Sequence, residues 1–362
     1  LKTKSRVIGF FGRWYNTSLI LSIVLLIPTS ITRTGLLFPE LNVFADLGNA
    51  YFQTQQVRLN NNSSIEYLRM IFGPFLFSLL PLTLYYWGKI PKFKRYLAIL
   101  ISVLYLLISF NMGINKLLVD YLIITVVIII IKKIILVNLK HNIIAFFKRL
   151  SILIIVVVFF NQFLLYFQST QTSRVGESIG EYNMRADIYS DDQSVLVNIF
   201  PEQLKVGVIQ FQSYISQGYY GLSLAMEEEF TWTYGVGNSI FLLNNFEALF
   251  NIEIFSKTYP YKTISSGWDP LITWSSIFPW LASDITFMGT MFILFILGYL
   301  LAISLKDLVE KNNYLALPLI CQVSIIIIYI PANNQMLQMG ESFFTFILTL
   351  LLWIFTRRFK II

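Results

Sequence analysis

The stretch "YLIITVVIIIIKK", residues 121–133, runs through eleven uncharged residues before it meets Lys132 and Lys133. A strand of a membrane β-barrel alternates apolar with polar side chains. This stretch does not alternate, which excludes that architecture. Extended back to residue 117, it approaches the roughly 20 apolar residues that carry a helix across about 30 Å of hydrocarbon. The pair of lysines then marks where the chain re-enters water.

The rest of the chain repeats this pattern. Of its 362 residues 56% are hydrophobic and only 13% are charged, with a mean hydropathy of +0.65. A soluble protein carries about a quarter charged residues. The composition therefore predicts an all-α polytopic membrane protein. Eight spans are expected, at 15–32, 68–87, 95–112, 117–131, 150–168, 285–304, 314–331 and 342–357. The chain opens "LKTKSRVIGFFGRW" without a methionine, so a missing N-terminus is expected and no signal peptide is recognisable in what remains.

Lysine and arginine set the orientation, because they accumulate in cytoplasmic segments. With the visible N-terminus inside, 18 of the 27 basic residues but only two of the 20 acids, Asp307 and Glu310, fall on the cytoplasmic side. The opposite orientation would reverse that excess. These basic residues lie in short turns between spans, which argues against a nucleic-acid surface. Three parts follow: a five-span bundle over 1–168 with an outer loop at 33–67, an extracytoplasmic region over 169–284, and a three-span bundle over 285–362.

Residues 169–284 are too long for an idle connection. Within them "YISQGYYGLSLAM", residues 214–226, places Tyr214, Gly218, Gly221 and Ala225 near one helical face. An interfacial or re-entrant helix is expected there. The alternative is a further crossing pair near 206–226 and 236–255, although Asn244, Asn245 and Glu247 interrupt the second run.

The chemistry available outside is restricted. The one histidine, His141, falls on the cytoplasmic side, and the one cysteine, Cys321, lies in an apolar run. Serine–histidine and cysteine–histidine nucleophiles are thereby removed. Histidine ligation, cysteine zinc spacing and nucleotide-binding glycine motifs are missing, so no metal and no cofactor is expected. "SDDQS" with Asp191 and Asp192 is too weak a signal for a divalent ion.

Nine basic residues remain outside: Arg33, Arg58, Arg69, Lys116, Arg174, Arg185, Lys205, Lys257 and Lys262. Structural ion pairs are their ordinary explanation. Arg174 and Arg185, in "TSRVGESIGEYNMRADIYS" just past the fifth span, sit where a lipid headgroup would lie, and a guanidinium fork suits phosphate oxygens. They are the leading candidates for a lipid phosphate or diphosphate, with Arg58 and Lys116 second. Lys116 lies in the hairpin "NMGINKLLVD", where snorkelling is the plainer reading. A base must be a carboxylate or a tyrosine. Glu228 and Asp269 rank first and Asp284 third, since a carboxylate capping a helix stays ionised and suits an orienting role better. Plainer roles are a solvated face for Glu227–Glu229, a turn before Pro270 for Asp269, and an N-cap for Asp284.

Taken together, "YISQGYYGLSLAM", "FTWTYGVGNS", "SGWDPLITWSSIFPWLASDITFMG" and the "GINK" hairpin make the chain resemble the Wzy-type oligosaccharide repeat-unit polymerases, or O-antigen polymerases, from about residue 35 to 356. The resemblance implies a fold similar to the metal-independent branch of GT-C-type glycosyltransferases. It implies transfer of a growing glycan from undecaprenyl diphosphate to a new lipid-linked repeat unit at the outer face of a bacterial plasma membrane. The implied partners are that lipid-linked oligosaccharide, the bilayer and a chain-length regulator protein. The related O-antigen ligases use an outer histidine, which this chain lacks. Arg174 and Arg185 would then grip diphosphate, while Tyr214, Tyr219 and Tyr220 would contact sugar rings. A flippase for lipid-linked oligosaccharides and a structural export subunit are the competing readings.

Overall fold

The computed structural model describes residues 2–40, 50, 54, 64–135, 161–169, 183–185, 188–189, 191, 193–270 and 273–358. Its long elements are helices: α1 (Lys2–Val24), α2 (Leu26–Thr34), α3 (Ser64–Tyr85), α4 (Lys92–Asn111), α5 (Lys116–Ile135), α6 over 161–169, α7 (Glu202–Met226), α8 (Ile240–Phe250), α9 (Ile277–Lys311), α10 (Ala316–Ile328) and α11 (Gly340–Arg358). A small antiparallel hairpin pairs Asn183–Arg185 with Ile188–Tyr189.

Among the described residues α3, α4, α9 and α11 are long and apolar enough to cross a membrane; α1 from Phe11 onward and α2, bent by 41°, bring the number to five if the pair is one broken span. The molecule is thus a helical protein of membrane type. The span expected at 150–168 lies largely outside the described residues. Those expected at 117–131 and 314–331 fall on α5 and α10.

The bundle is arranged around α10. Every residue from Ala316 to Ile326 is buried, enclosed by α3, α5, α9 and α11. A helix apolar on all sides must be central, because no face of it tolerates water. At 13 residues it rises only about 20 Å, and its own length does not fill a bilayer. Close backbone approach sets the packing of α3 on α11: a side chain at Gly73 would collide with Thr345.

Charge sorts to the two ends. One end, here the basic end, carries Arg13, Lys89, Lys92, Lys94, Arg95, Lys132, Lys133, Lys306, Lys311 and Arg357. Two of these residues satisfy carbonyls around the end of α3: Lys132 Nζ donates to the Leu84 oxygen of its last turn at 2.7 Å, and Arg95 to the Trp87 oxygen in the turn that follows at 2.8 Å. Buried Asp307 accepts Lys311 at 2.7 Å and pairs with Arg357 Nε at 3.0 Å, tying α9 to α11. The other end, here the loop end, carries α7, α8 and the connections around them.

α7 has 25 residues, but its composition does not make it a membrane-crossing helix. α8 has 11 residues, about 16 Å of rise, half a hydrocarbon layer. The alternative of a crossing pair at 206–226 and 236–255 therefore has no element of sufficient length in its second half. Instead α7 lies against the end of the bundle: Gly207 abuts the Leu164 oxygen of α6, and the Gly218 oxygen accepts the Ser276 amide at 3.0 Å.

Candidate functional site

The loop end holds two polar constructions. The first is a four-membered ion network. Arg33, at the end of α2, forks onto Glu66 of α3 through Nε at 2.7 Å and its terminal amine at 2.6 Å, and also reaches Glu341 of α11 at 2.5 Å. Arg69 of α3 donates to the other Glu341 oxygen at 2.5 Å and to the Thr29 hydroxyl at 2.9 Å, with its guanidinium over the Tyr105 ring. Arg69 is 6% exposed. Two guanidiniums meet two carboxylates, so the network is electrically balanced. It joins α2, α3 and α11 and leaves no excess positive charge for a phosphate. Its four charges are spread over residues 33–341, so pairing by spacing could not reveal it; the signal present was a basic and an acidic residue at successive helix ends of the same side.

Lys116 behaves similarly. Its ammonium donates to Asp120 at 2.6 Å, one turn along α5, and lies 5.8 Å from the Tyr329 ring centroid. Asn111 and Asn115, in the same hairpin, are engaged by Glu40 and Tyr166. Lys205 pairs with Glu202 at 2.7 Å.

The second construction is an open cleft of about 530 Å³ lined by Glu227, Glu228, Glu229, Ser256, Tyr261, Lys262, Ile264 and Ser265. It forms where α7 ends: Glu227 occupies the C-cap position, and the next two glutamates leave the helix in succession. Lys262 crosses the cleft to the Glu229 carbonyl at 2.5 Å and to the Thr231 hydroxyl at 2.8 Å. Glu228 is half-buried, whereas Glu227 and Glu229 are exposed. Asp269 is half-buried on the next loop, where its carbonyl accepts the Thr273 amide and hydroxyl at 2.7 and 2.9 Å. Nearby Tyr259 is buried against Phe287, and burial pushes its phenol above the ordinary value. It stays protonated at neutral pH and is no base there.

Asp284 has a different position from the expected cap. α9 starts at Ile277 after Ser276, and its backbone breaks at Thr286, with φ 64° and ψ 165°. Asp284 lies inside the short helical segment before that break. Its carboxylate accepts four hydrogen bonds: from the Thr233 hydroxyl at 2.6 Å, the Gly237 amide at 2.9 Å, the Asn238 amide at 2.9 Å and the Asn238 side chain at 2.8 Å. Both oxygens are committed to holding the 233–238 loop.

The tyrosines of α7 divide. Tyr214 packs edge-on against Trp274 at 4.3 Å, and Tyr220 lies 5.2 Å from Trp268. Tyr219 is exposed. Between them, Gly218 and Gly221 let α7 sit directly on Pro331, Ser275 and Trp268. Arg58 and Arg174 lie outside the described residues, and Arg185 is placed by its backbone alone, opposite Ile188 in the hairpin. Among the described residues no cluster of histidine, cysteine and carboxylates could hold a metal ion. The chain matches no protein-family model, no curated protein and no solved structure.

Proposed function

We propose that the protein polymerises lipid-linked oligosaccharide repeat units, moving a growing glycan from undecaprenyl diphosphate onto the sugar of a new unit. In this reading the chain crosses a bacterial plasma membrane eight times with its loop end outside. The observation that carries the reading is the carboxylate-lined cleft at the loop end of an apolar bundle, where a membrane-anchored substrate would present its sugars. An anomeric diphosphate is already a good leaving group, so the site has three tasks. It must balance the departing charge, align two lipid-borne sugars and relieve one acceptor hydroxyl of its proton. Arg174 and Arg185 serve the first task. Glu228, half-buried in the cleft, serves the last, with Asp269 as the alternative. Asp284 positions a loop, and Lys116, held by Asp120, contributes no free charge.

The flippase reading is less well supported. Transporters place charged groups near the middle of their spans. The buried charges among the described residues are Arg69, Asp120, Asp284 and Asp307; three lie toward helix ends, and Asp284 lies in the short segment of α9 before its break at Thr286. In a deletion strain, one repeat unit per lipid anchor on a glycan gel is the polymerase outcome, and no surface glycan is the flippase outcome. Complementation with Arg174→Ala or Arg185→Ala is expected to leave single units at normal protein abundance. Full-length polymer from both variants would remove the proposed diphosphate site.

A further inference from the structure

Between α7 and α8 the chain runs through Phe230–Ser239 as a strap whose backbone is held with unusual care. The Val236 amide returns to the Thr233 carbonyl at 3.1 Å, closing a four-residue turn. Both central residues have positive φ, 59° at Tyr234 and 82° at Gly235, the pattern of a type I′ turn. Glycine takes that conformation freely; tyrosine does so only under constraint. The constraint is Asp284, whose buried carboxylate binds Thr233, Gly237 and Asn238. At Gly237 a side chain would collide with Thr233 across the turn and with Ser283 beneath it.

What this arrangement presents is two aromatic rings. Trp232 and Tyr234 lie 4.8 Å apart and are 56% and 50% exposed. Lys257 stands 5.5 Å from the Tyr234 ring centroid. A strap serving only to pack would turn those rings inward. The strap begins where the cleft glutamates end, and Lys262 binds both the Glu229 carbonyl and the Thr231 hydroxyl, so the segment that carries the rings is tied to the edge of the carboxylate cleft.

We propose that Trp232 and Tyr234, with the adjoining Glu227–Glu229 cleft, form a glycan subsite that stacks a pyranose ring. A pyranose has an apolar C–H face for an aromatic platform and a rim of hydroxyls for carboxylate acceptors and the Lys262 ammonium. An acyl chain would meet three carboxylates, and a phosphate-bearing ligand would be repelled by them. The polymerase reading supplies the source of the glycan, but the subsite itself stands on the strap geometry.

The test is saturation-transfer NMR on the full chain in nanodiscs, with methyl β-D-glucopyranoside, methyl α-D-galactopyranoside and methyl N-acetyl-β-D-glucosaminide as separate probes. At least one is expected to receive saturation, strongest on ring C–H protons. Its affinity is expected to fall by roughly tenfold in the Trp232→Ala, Tyr234→Ala double variant. Asp284→Asn, which keeps both rings but loosens the strap, should weaken binding less; Trp232→Phe should retain most of it. No transfer to any probe, or unchanged binding in the double variant, overturns the subsite. So does quenching of the Trp232-dependent fluorescence by lipids brominated in their acyl chains, which would make the pair a membrane anchor. Pyranoside binding through these rings, in a chain whose deletion leaves surface-glycan length unchanged, would overturn the polymerase reading and leave the subsite standing.

Discussion

Gly218 and Asp284 were both legible as unusual residues, yet only one showed its role in the sequence. Two glycines three apart on an otherwise bulky helix face imply close approach, and Gly218 indeed lies against the Pro331 carbonyl and the Ser276 amide. Because its neighbours are backbone atoms, they cannot swing aside as a side chain would. Gly218→Ala is therefore expected to lift α7 from the bundle end at a cost of about 1–3 kcal/mol. Thermal unfolding in detergent would register the loss, and an unchanged midpoint would mean that α7 does not rest on Pro331. Asp284 reads as a helix cap in sequence because "SDIT" precedes a long apolar run. The actual helix starts earlier, and the carboxylate instead faces amides that come from residues 237 and 238. Nothing local to "PWLASDITFMG" announces partners some 46 positions away.

Pairs of helices are held by a few contacts that sequence spacing does not anticipate. The Arg33–Glu66 and Arg69–Glu341 pairs join three helices, with Glu341 shared between the two arginines. Removing one member strands a charge in a poorly hydrated place, which costs about 3–5 kcal/mol, whereas removing both partners is far milder. Arg69→Met should therefore sharply reduce detergent-solubilised stability, and Arg69→Met with Glu341→Gln should recover a substantial part of it. A double variant no better than the single one would show that the two side chains act independently. The same logic explains why sequence could name Arg33, Arg69 and Lys116 among the basic residues off the short turns but could not show that each is paired. Counting charge identifies a stranded arginine, but only the fold reveals the carboxylate beside it.

At the level of the whole molecule most of the described lysines and arginines collect at one end and the long connections at the other. If that basic end is cytoplasmic, a cysteine placed at Thr231 in a Cys321→Ala background should react with a membrane-impermeant maleimide in intact cells. A cysteine at Lys311 should react only after permeabilisation. The background is clean, because Cys321 is the only cysteine and is fully buried. Labelling at Lys311 in intact cells would invert the orientation and remove the outer-face chemistry with it.

Composition and the run of residues 121–133 by themselves determined that the protein is helical and of membrane type, because the cost of unpaired backbone in hydrocarbon leaves a long apolar run few other options. Helix positions followed with similar ease, to within a few residues at most ends. Tertiary structure alone decided which charges are spent on one another, which helix occupies the centre, and how residues 230–239 come to display Trp232 and Tyr234. Those outcomes depend on contacts between positions tens to hundreds of residues apart, and periodicity carries no record of such distances.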